Sequence, residues 1–285
     1  MSMETALITV RGRLAVEDAI ARFGSVARHH ELQAIGISTR QIADAVTAGR
    51  ICRVARGHYA LPGFNELDVF LARNQARLAC LSRLKGLGLW VLREPRDLHV
   101  ATAHGRPVPG CTAHRTAGPE TFMAVVRQAV GCGSDLDGLI TMESAVVKNK
   151  CTIEELRMEF DRRSDKRARE MIALIDPQSM SITETAGRHH LLRAGHNVVA
   201  QAYVREVGHL DLLVDGILGI EGDGREFHAT AEAWKEDLRR DAMYVLNGVW
   251  RLRLPAEVVL YHPEVFLNYV ERALARIRCA QRPSA

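Results

Sequence analysis

The chain has 285 residues, enough for two or three domains and an ample core. Hydrophobic residues make up 47% and charged residues 25%, which is ordinary for a globular protein and excludes a disordered or low-complexity chain. The formal charge is +4, mildly basic, which is compatible with a nucleic-acid partner without demanding one.

Residues 14–34 read as an amphipathic helix, interrupted near Gly24, with Leu14, Ala15, Ala19, Ile20, Phe23, Val26, Ala27 and Leu32 in period. Ser38 with Gln41 is a capping-box pattern and Gly49 is a C-terminal stop, which predicts a short helix over 39–48. Ile51–Val54 and His58–Leu61 then read as two strands turned at Arg56-Gly57. Two helices joined by a tight turn and followed by a small hairpin outline a winged helix-turn-helix over residues 1–62. Arg40, Arg50, Arg53 and Arg56 decorate its second helix, that helix's end and the wing. This stretch carries 8 Lys+Arg against 5 Asp+Glu. The DNA-binding reading puts the second helix in a major groove and the wing arginines on phosphate. The competing reading is a protein-interaction module with solvated arginines.

Residues 63–176 form a mixed α/β coupling region by pattern. A helix is expected over 65–89, short strands at 90–92 and 98–101, and a loop over 105–110. Helices are expected over 121–130, 136–148 and 153–162, the last opened by Thr152 with Glu155, with a final helix closing near 171–174. His104 and His114 read as loop residues. This stretch offers no catalytic constellation.

Residues 177–285 carry the chemistry. Ser181 with Glu184 opens a helix to about 194, and a strand holding Gln201 follows over 197–204. Next comes GHLDLLVDGILGIEGDGREFH, residues 208–228. A two-residue turn at Asp215-Gly216 would bury Glu221 among aliphatic side chains, which costs several kcal/mol. A three-residue loop pairs Val214 with Leu218, Leu212 with Ile220 and Asp211 with Glu221. It gathers Leu210, Leu212, Val214, Leu218 and Ile220 on one face and Asp211, Glu221 and Asp223 on the other. Carboxylates at one end of a strand pair suit Mg²⁺ or Mn²⁺, which take oxygen ligands, and so point to phosphodiester hydrolysis. The helix over 230–247 is expected to turn Trp234, Leu238, Ala242, Val245 and Leu246 inward, with Trp250 in the core. Trp250–Leu254 is a final strand and 263–279 a closing helix. The order α-β-β-β-α-β-α predicts an α/β sandwich with a mixed sheet.

The six cysteines have no CxxC spacing, and no Cys/His cluster suits zinc, so they are expected to be free thiols in a reducing cytosol. No apolar run is long enough to cross a bilayer, and no signal-peptide pattern opens the chain, so the expected location is cytoplasmic.

LQAIGISTRQIADAVTAGRICRVARGHYALPG resembles the N-terminal winged helix of AbiE-type abortive-infection antitoxins, with a weaker echo in LHVAT and CTAHRT. The last unit is similar to an endonuclease-like domain of unknown function. That domain is related to very-short-patch-repair endonucleases, in the PD-(D/E)XK superfamily. The matching pieces are Ser181 to Glu184, Gln201, Asp211, Glu221-Gly222-Asp223-Gly224, His228, Asp237 to Asp241, Gly248, Trp250 and Arg253. The resemblance implies a restriction-endonuclease-like α/β sandwich. Asp211 and Glu221 would be its metal-binding acids, and Glu184 the helix acid that completes the shell. The superfamily's lysine, two residues after the acid, is Asp223 here. A third carboxylate could recruit a second metal or act as base, but it supplies no positive charge. His228 or Lys235 could take that role, with Arg239 or Arg240 meeting transition-state charge. On helix 230–247 the bland alternative is a solvated ion-pair face.

Two functions are thus expected, beside a third reading as a protein-interaction scaffold. One is a DNA-processing protein whose winged helix delivers a metal-dependent endonuclease, in phage defence or repair. The other is a non-enzymatic, antitoxin-like regulator with an inactive nuclease fold. DNA is the expected partner, with a homodimer and a cognate toxin as further candidates.

Overall fold

The computed structural model describes residues 14–116, 121–223 and 231–281. Its class is mixed α/β, as expected, with 13 α-helices and three small sheets among the described residues. No helix among these residues is long and apolar enough to cross a membrane. The chain divides into two compact units, residues 1–78 with 97–119, and residues 79–96 with 120–285.

The first unit opens with α1 (Val16–Ala21), β1 (Val26–Arg28) and α2 (His29–Ala34). The single helix expected over 14–34 is therefore broken by a strand. Gly24 sits at φ 98°, a backbone state that glycine adopts without strain. β1 then pairs antiparallel with β3, a long-range gain that helical periodicity does not report. In α3 (Thr39–Thr47) the expected capping box forms. Gln41 N donates to Ser38 Oγ at 3.2 Å, and Ser38 N donates to Gln41 Oε1 at 2.9 Å. Ile42 and Ala45 turn inward to join Ile20, Leu32, Ile37 and Ile51 in one apolar cluster. β2 (Cys52–Ala55) and β3 (His58–Ala60) complete a sheet of order β1-β3-β2, with Gly57 at φ 73° in the turn. α4 (Glu66–Arg73) and β4 (Ala76–Leu78) follow, so the helix expected over 65–89 is also interrupted, at Gln75, φ 49°. β4 pairs antiparallel with β5 (Leu98–Thr102), which pairs parallel with β6 (Cys111–Arg115).

The second unit begins with helices α5 (Cys80–Leu84), α6 (Phe122–Cys132), α7 (Asp135–Val147), α8 (Ile153–Glu159) and α9 (Lys166–Ile172). Residues 90–92 form no strand. α10 (Ile182–Arg193) then leads into a four-stranded sheet. Its strands are β7 (Val198–Val204), β8 (Gly208–Val214), β9 (Leu218–Asp223) and β10 (Trp250–Pro255), with α11 (Ala231–Leu246) crossing between the last two. The order is β10-β9-β8-β7, antiparallel except for the parallel β9–β10 pair. α12 (Ala256–Tyr261) and α13 (Pro263–Ala280) close the unit.

The β8–β9 register is the three-residue-loop register, with Val214 opposite Leu218 and Leu212 opposite Ile220. Asp215 at φ 51° and Gly216 at φ 73° make the turn. Leu212, Val214, Leu218 and Ile220 are buried against Leu191 of α10 and Phe266, Val270 and Leu274 of α13. Burial of that kind stabilises by about 1.5–3 kcal/mol per large side chain, and it is what fixes the register.

Leu210 departs from the expected apolar face. It clusters with Val204, Val207 and Tyr244 on the α11 side, and a Cβ on Gly219 would lie 2.7 Å from its Cδ2. The β7–β8 ladder passes from Ala200↔Leu212 to Ala202↔Leu210 without a Gln201–Asp211 pair, and Gln201 sits at φ 49°. This local break in alternation carries Leu210 to the other side.

α11 also departs from expectation. Leu238, Val245 and Leu246 are 49%, 78% and 75% exposed, and Ala242 is exposed as well. Among its described side chains the buried one is Tyr244, with Arg240 and Met243 half-buried beside it. The inward stripe is polar and aromatic, because it faces the acids of the sheet. Trp250, expected in the core, is 53% exposed.

Candidate metal and nucleic-acid site

Glu184 stands on the first turn of α10 and is buried. Its backbone N–H is held by Ser181 Oγ at 3.1 Å, which is the forward half of the expected capping box. The carboxylate does not complete the box. Its Oε2 accepts from Met180 N at 3.0 Å and from Gln201 Nε2 at 2.8 Å. The strained backbone of Gln201 thus serves to aim its amide at Glu184.

Asp211 on β8 accepts a hydrogen bond from Gly222 N at 3.3 Å, so the hairpin does bring it to the Glu221 end of β9. Burial first, then the nearby Glu184 carboxylate, push the Asp211 carboxyl up to about 6. Glu221 raises it further, while the Gly222 N–H and Arg240 oppose the shift. A carboxyl raised by burial and by neighbouring carboxylates is short of positive charge, and a divalent cation would supply it.

Glu221 is buried and heavily engaged. Tyr244 donates to its Oε1 at 2.7 Å and Arg240 Nη2 donates to the same oxygen at 3.1 Å. Arg251 Nη2 approaches Oε2 at 2.8 Å as a charge contact. Burial and the bond to Glu221 push the Tyr244 phenol up to about 12, so it stays a donor. A wider ion lattice surrounds this point. Arg253 pairs with Asp237 at 2.6 Å, and Arg251 reaches Asp237 at 3.6 Å and also contacts Asp241. Arg253 holds the Asp237 carboxyl below its ordinary range.

The remaining predicted residues are placed as follows. Of Asp223 only the backbone is described, and His228 lies outside the described residues. Lys235 is exposed on α11. Arg239 bonds Glu236 at 2.6 and 2.8 Å and the Glu206 carbonyl at 2.7 Å. Arg240 turns inward to Glu221. Arg40, Arg53 and Arg56 are exposed on α3 and the β2–β3 hairpin, and Arg50 pairs with Glu17 at 2.5 Å. Sequence reasoning missed Tyr244 and Arg251 as partners of Glu221. Their spacing from Arg240, at i+4 on α11 and on the next strand, was the available signal.

His114 is not a loop residue. It lies on β6, with its ring 5.4 Å from that of His99 on β5. Burial, and then His114, hold the His99 imidazole below its ordinary range, in the neutral form that metals bind. Among the described residues Glu184, Asp211 and Glu221 do not come together as one close ligand group, and the Glu221 headgroup is turned to its arginines.

No protein-family model matches this chain, and no curated protein matches it.

Proposed function

We propose that the chain is a DNA-processing protein in which the second unit is a metal-dependent, PD-(D/E)XK-like phosphodiesterase and the first unit is a winged helix that holds DNA. What supports the nuclease reading is the placement of Asp211, which accepts from Gly222 N at 3.3 Å at the Glu221 end of β9 and lies near enough to the Glu184 and Glu221 carboxylates for both to raise it. Aliphatic packing alone gives no reason to gather three acids on one sheet end. A cation site does.

Glu184 and Asp211 would hold Mg²⁺ or Mn²⁺, with Glu221 joining once it leaves Arg240 and Arg251. When bound, the cation supplies charge to the scissile phosphate and acidity to a coordinated water. The chain's own residues do the remaining work. Gln201 fixes Glu184 in rotation through the 2.8 Å bond. Tyr244, kept protonated, orients Glu221. Arg240 and Arg251, now paired with Glu221, would be the cations placed to meet charge on phosphate oxygens if Glu221 were to hold the metal. Exposed Arg40, Arg53 and Arg56 on α3 and the β2–β3 hairpin support the winged-helix reading, with α3 in the groove and the hairpin on phosphate.

One observation favours a second reading, a regulator with a silent nuclease fold. Glu221 is fully satisfied by two arginines and a tyrosine, and Asp223 stands where the superfamily has lysine. Incubating the full chain with plasmid and single-stranded DNA in Mn²⁺, Mg²⁺ or EDTA separates the two. Metal-dependent cleavage that disappears in Asp211→Ala and Glu221→Ala upholds the nuclease. Cleavage that persists in both variants removes this site from the reaction. No cleavage under any condition, with footprinting on the protein's own promoter, upholds the regulator.

A further inference from the structure

A cavity of about 630 Å³ opens beside the Glu221 lattice, at the C-terminal end of α11 and the start of β10. Tyr244 and Val249 line it, Trp250 stands at it half-exposed, and Arg251, Arg253 and Asp241 contribute its charged part. The volume is within the range of small-ligand pockets. Two properties narrow the ligand. The charges are internally balanced, since Arg251 faces Glu221 and Asp241 and Arg253 faces Asp237. The cavity therefore has little net pull on a phosphate. Its uncharged part is aromatic and aliphatic, which suits a flat, neutral ring.

Arg251 supplies the polar contact. Its side chain is 8% exposed, yet its Nε has no hydrogen-bond partner. That nitrogen is closed to solvent, so it meets an acceptor in the cavity only when the guanidinium shifts, and the cost of leaving a buried donor unpaired favours that shift. Ring nitrogens and carbonyls of nucleobases are such acceptors. The same guanidinium lies 2.8 Å from Glu221 Oε2, so a base in this cavity is one side chain away from the proposed metal acids.

We propose that this cavity takes an unstacked nucleobase, held against Trp250 and hydrogen-bonded to Arg251, and that the nuclease unit therefore acts on strands with exposed bases rather than on intact duplex. The inference rests on the nuclease reading for the position of the strand, but base binding itself needs no cleavage. A stacked, paired base cannot enter a cavity of this kind without being extruded.

The test uses the full chain in EDTA with a short single-stranded oligonucleotide carrying 2-aminopurine, and the same sequence as duplex. The single strand is expected to bind with a change in probe emission. Trp250→Ala should weaken binding roughly tenfold and abolish that change. Trp250→Phe, which keeps a stacking face, should retain most of both, so a fold defect is told apart from a lost platform. Equal binding and equal emission change in Trp250→Ala, or the same emission change with duplex, overturns the proposal. Cleavage is scored separately in Mn²⁺ with Asp211→Ala. Loss of the nuclease reading with the emission change intact leaves the base cavity standing, and the converse result removes the cavity alone.

Discussion

Arg251 Nη2 lies 2.8 Å from Glu221 Oε2, from the edge strand β10 to its parallel neighbour β9. The arginine side chain is 8% exposed and the glutamate 11%, so neither charge is well served by water. A cation bound at the acid end would thus compete with Arg251 for the same carboxylate. Arg251→Ala should destabilise the metal-free chain by about 1–3 kcal/mol, because Glu221 keeps Arg240 and Tyr244 but loses one counter-charge. The same variant should gain more from Mn²⁺ than the wild type does. Thermal melts with EDTA and with Mn²⁺ read both effects. A variant that loses stability and gains nothing extra from Mn²⁺ would show that Glu221 is a structural acid only.

The raised carboxyl of Asp211 has the opposite consequence for stability. Its ordinary value of 3.8 moves to about 6 in the fold. A raised folded pKa means that the fold holds the proton more tightly than the unfolded chain does. Its contribution is present below the unfolded value and is lost as pH rises through the folded one. In EDTA, Asp211→Asn should therefore be more stable than the wild type by about 1–3 kcal/mol above pH 6, with the two converging below pH 4. Mn²⁺ should stabilise the wild type at pH 8 and leave the variant unmoved. Melting curves across pH 4–8 check the sign directly.

What the sequence revealed, and what it hid, follows from where each signal resides. The β8–β9 register was legible because a one-residue slip would have buried Glu221 among aliphatic side chains, and local alternation carries that information. The α3 box of Ser38 and Gln41 was legible because capping is local. The phase of α11 was not. Its inward stripe is Arg240, Met243 and Tyr244, which serves acids on a distant strand, whereas hydrophobic periodicity takes the inward face to be apolar. Leu238 and Val245 were assigned inward on that ground and are exposed. β1 was hidden for a related reason, since its pairing with β3 joins residues thirty or more positions apart.

Gly222 sits beside Glu221 where α10 crosses the strand end. A Cβ built there would lie 2.4 Å from Thr183 Cγ2. Threonine has a short, stiff side chain, so the neighbour cannot simply swing aside. Gly222→Ala should cost about 1–3 kcal/mol by overpacking and should push Glu184 away from Asp211. Adding Thr183→Ser removes the offending methyl, and the double variant should recover most of the loss. The coupling is measured by urea denaturation of all four forms. Additive losses would mean that the strain lies elsewhere in the strand.

Glu143 on α7 is fully buried and pairs with Arg188 on α10, itself 5% exposed. Thr185 Oγ1 also donates to Glu143 at 2.5 Å, and Asp176 N donates at 2.8 Å. The pair ties the helix that carries Glu184 to the helical layer behind it. Glu143→Gln keeps the volume but leaves the Arg188 charge uncompensated in the interior, and should destabilise the chain by about 3–5 kcal/mol. The paired change Glu143→Gln with Arg188→Met removes the orphan charge and should recover a large part of that loss, since one broken partner is costlier than two absent ones. Urea midpoints at constant m read the effect. If the single and paired variants were equally unstable, the loss would stem from the Thr185 and Asp176 hydrogen bonds, and the ion pair would not be what positions α10.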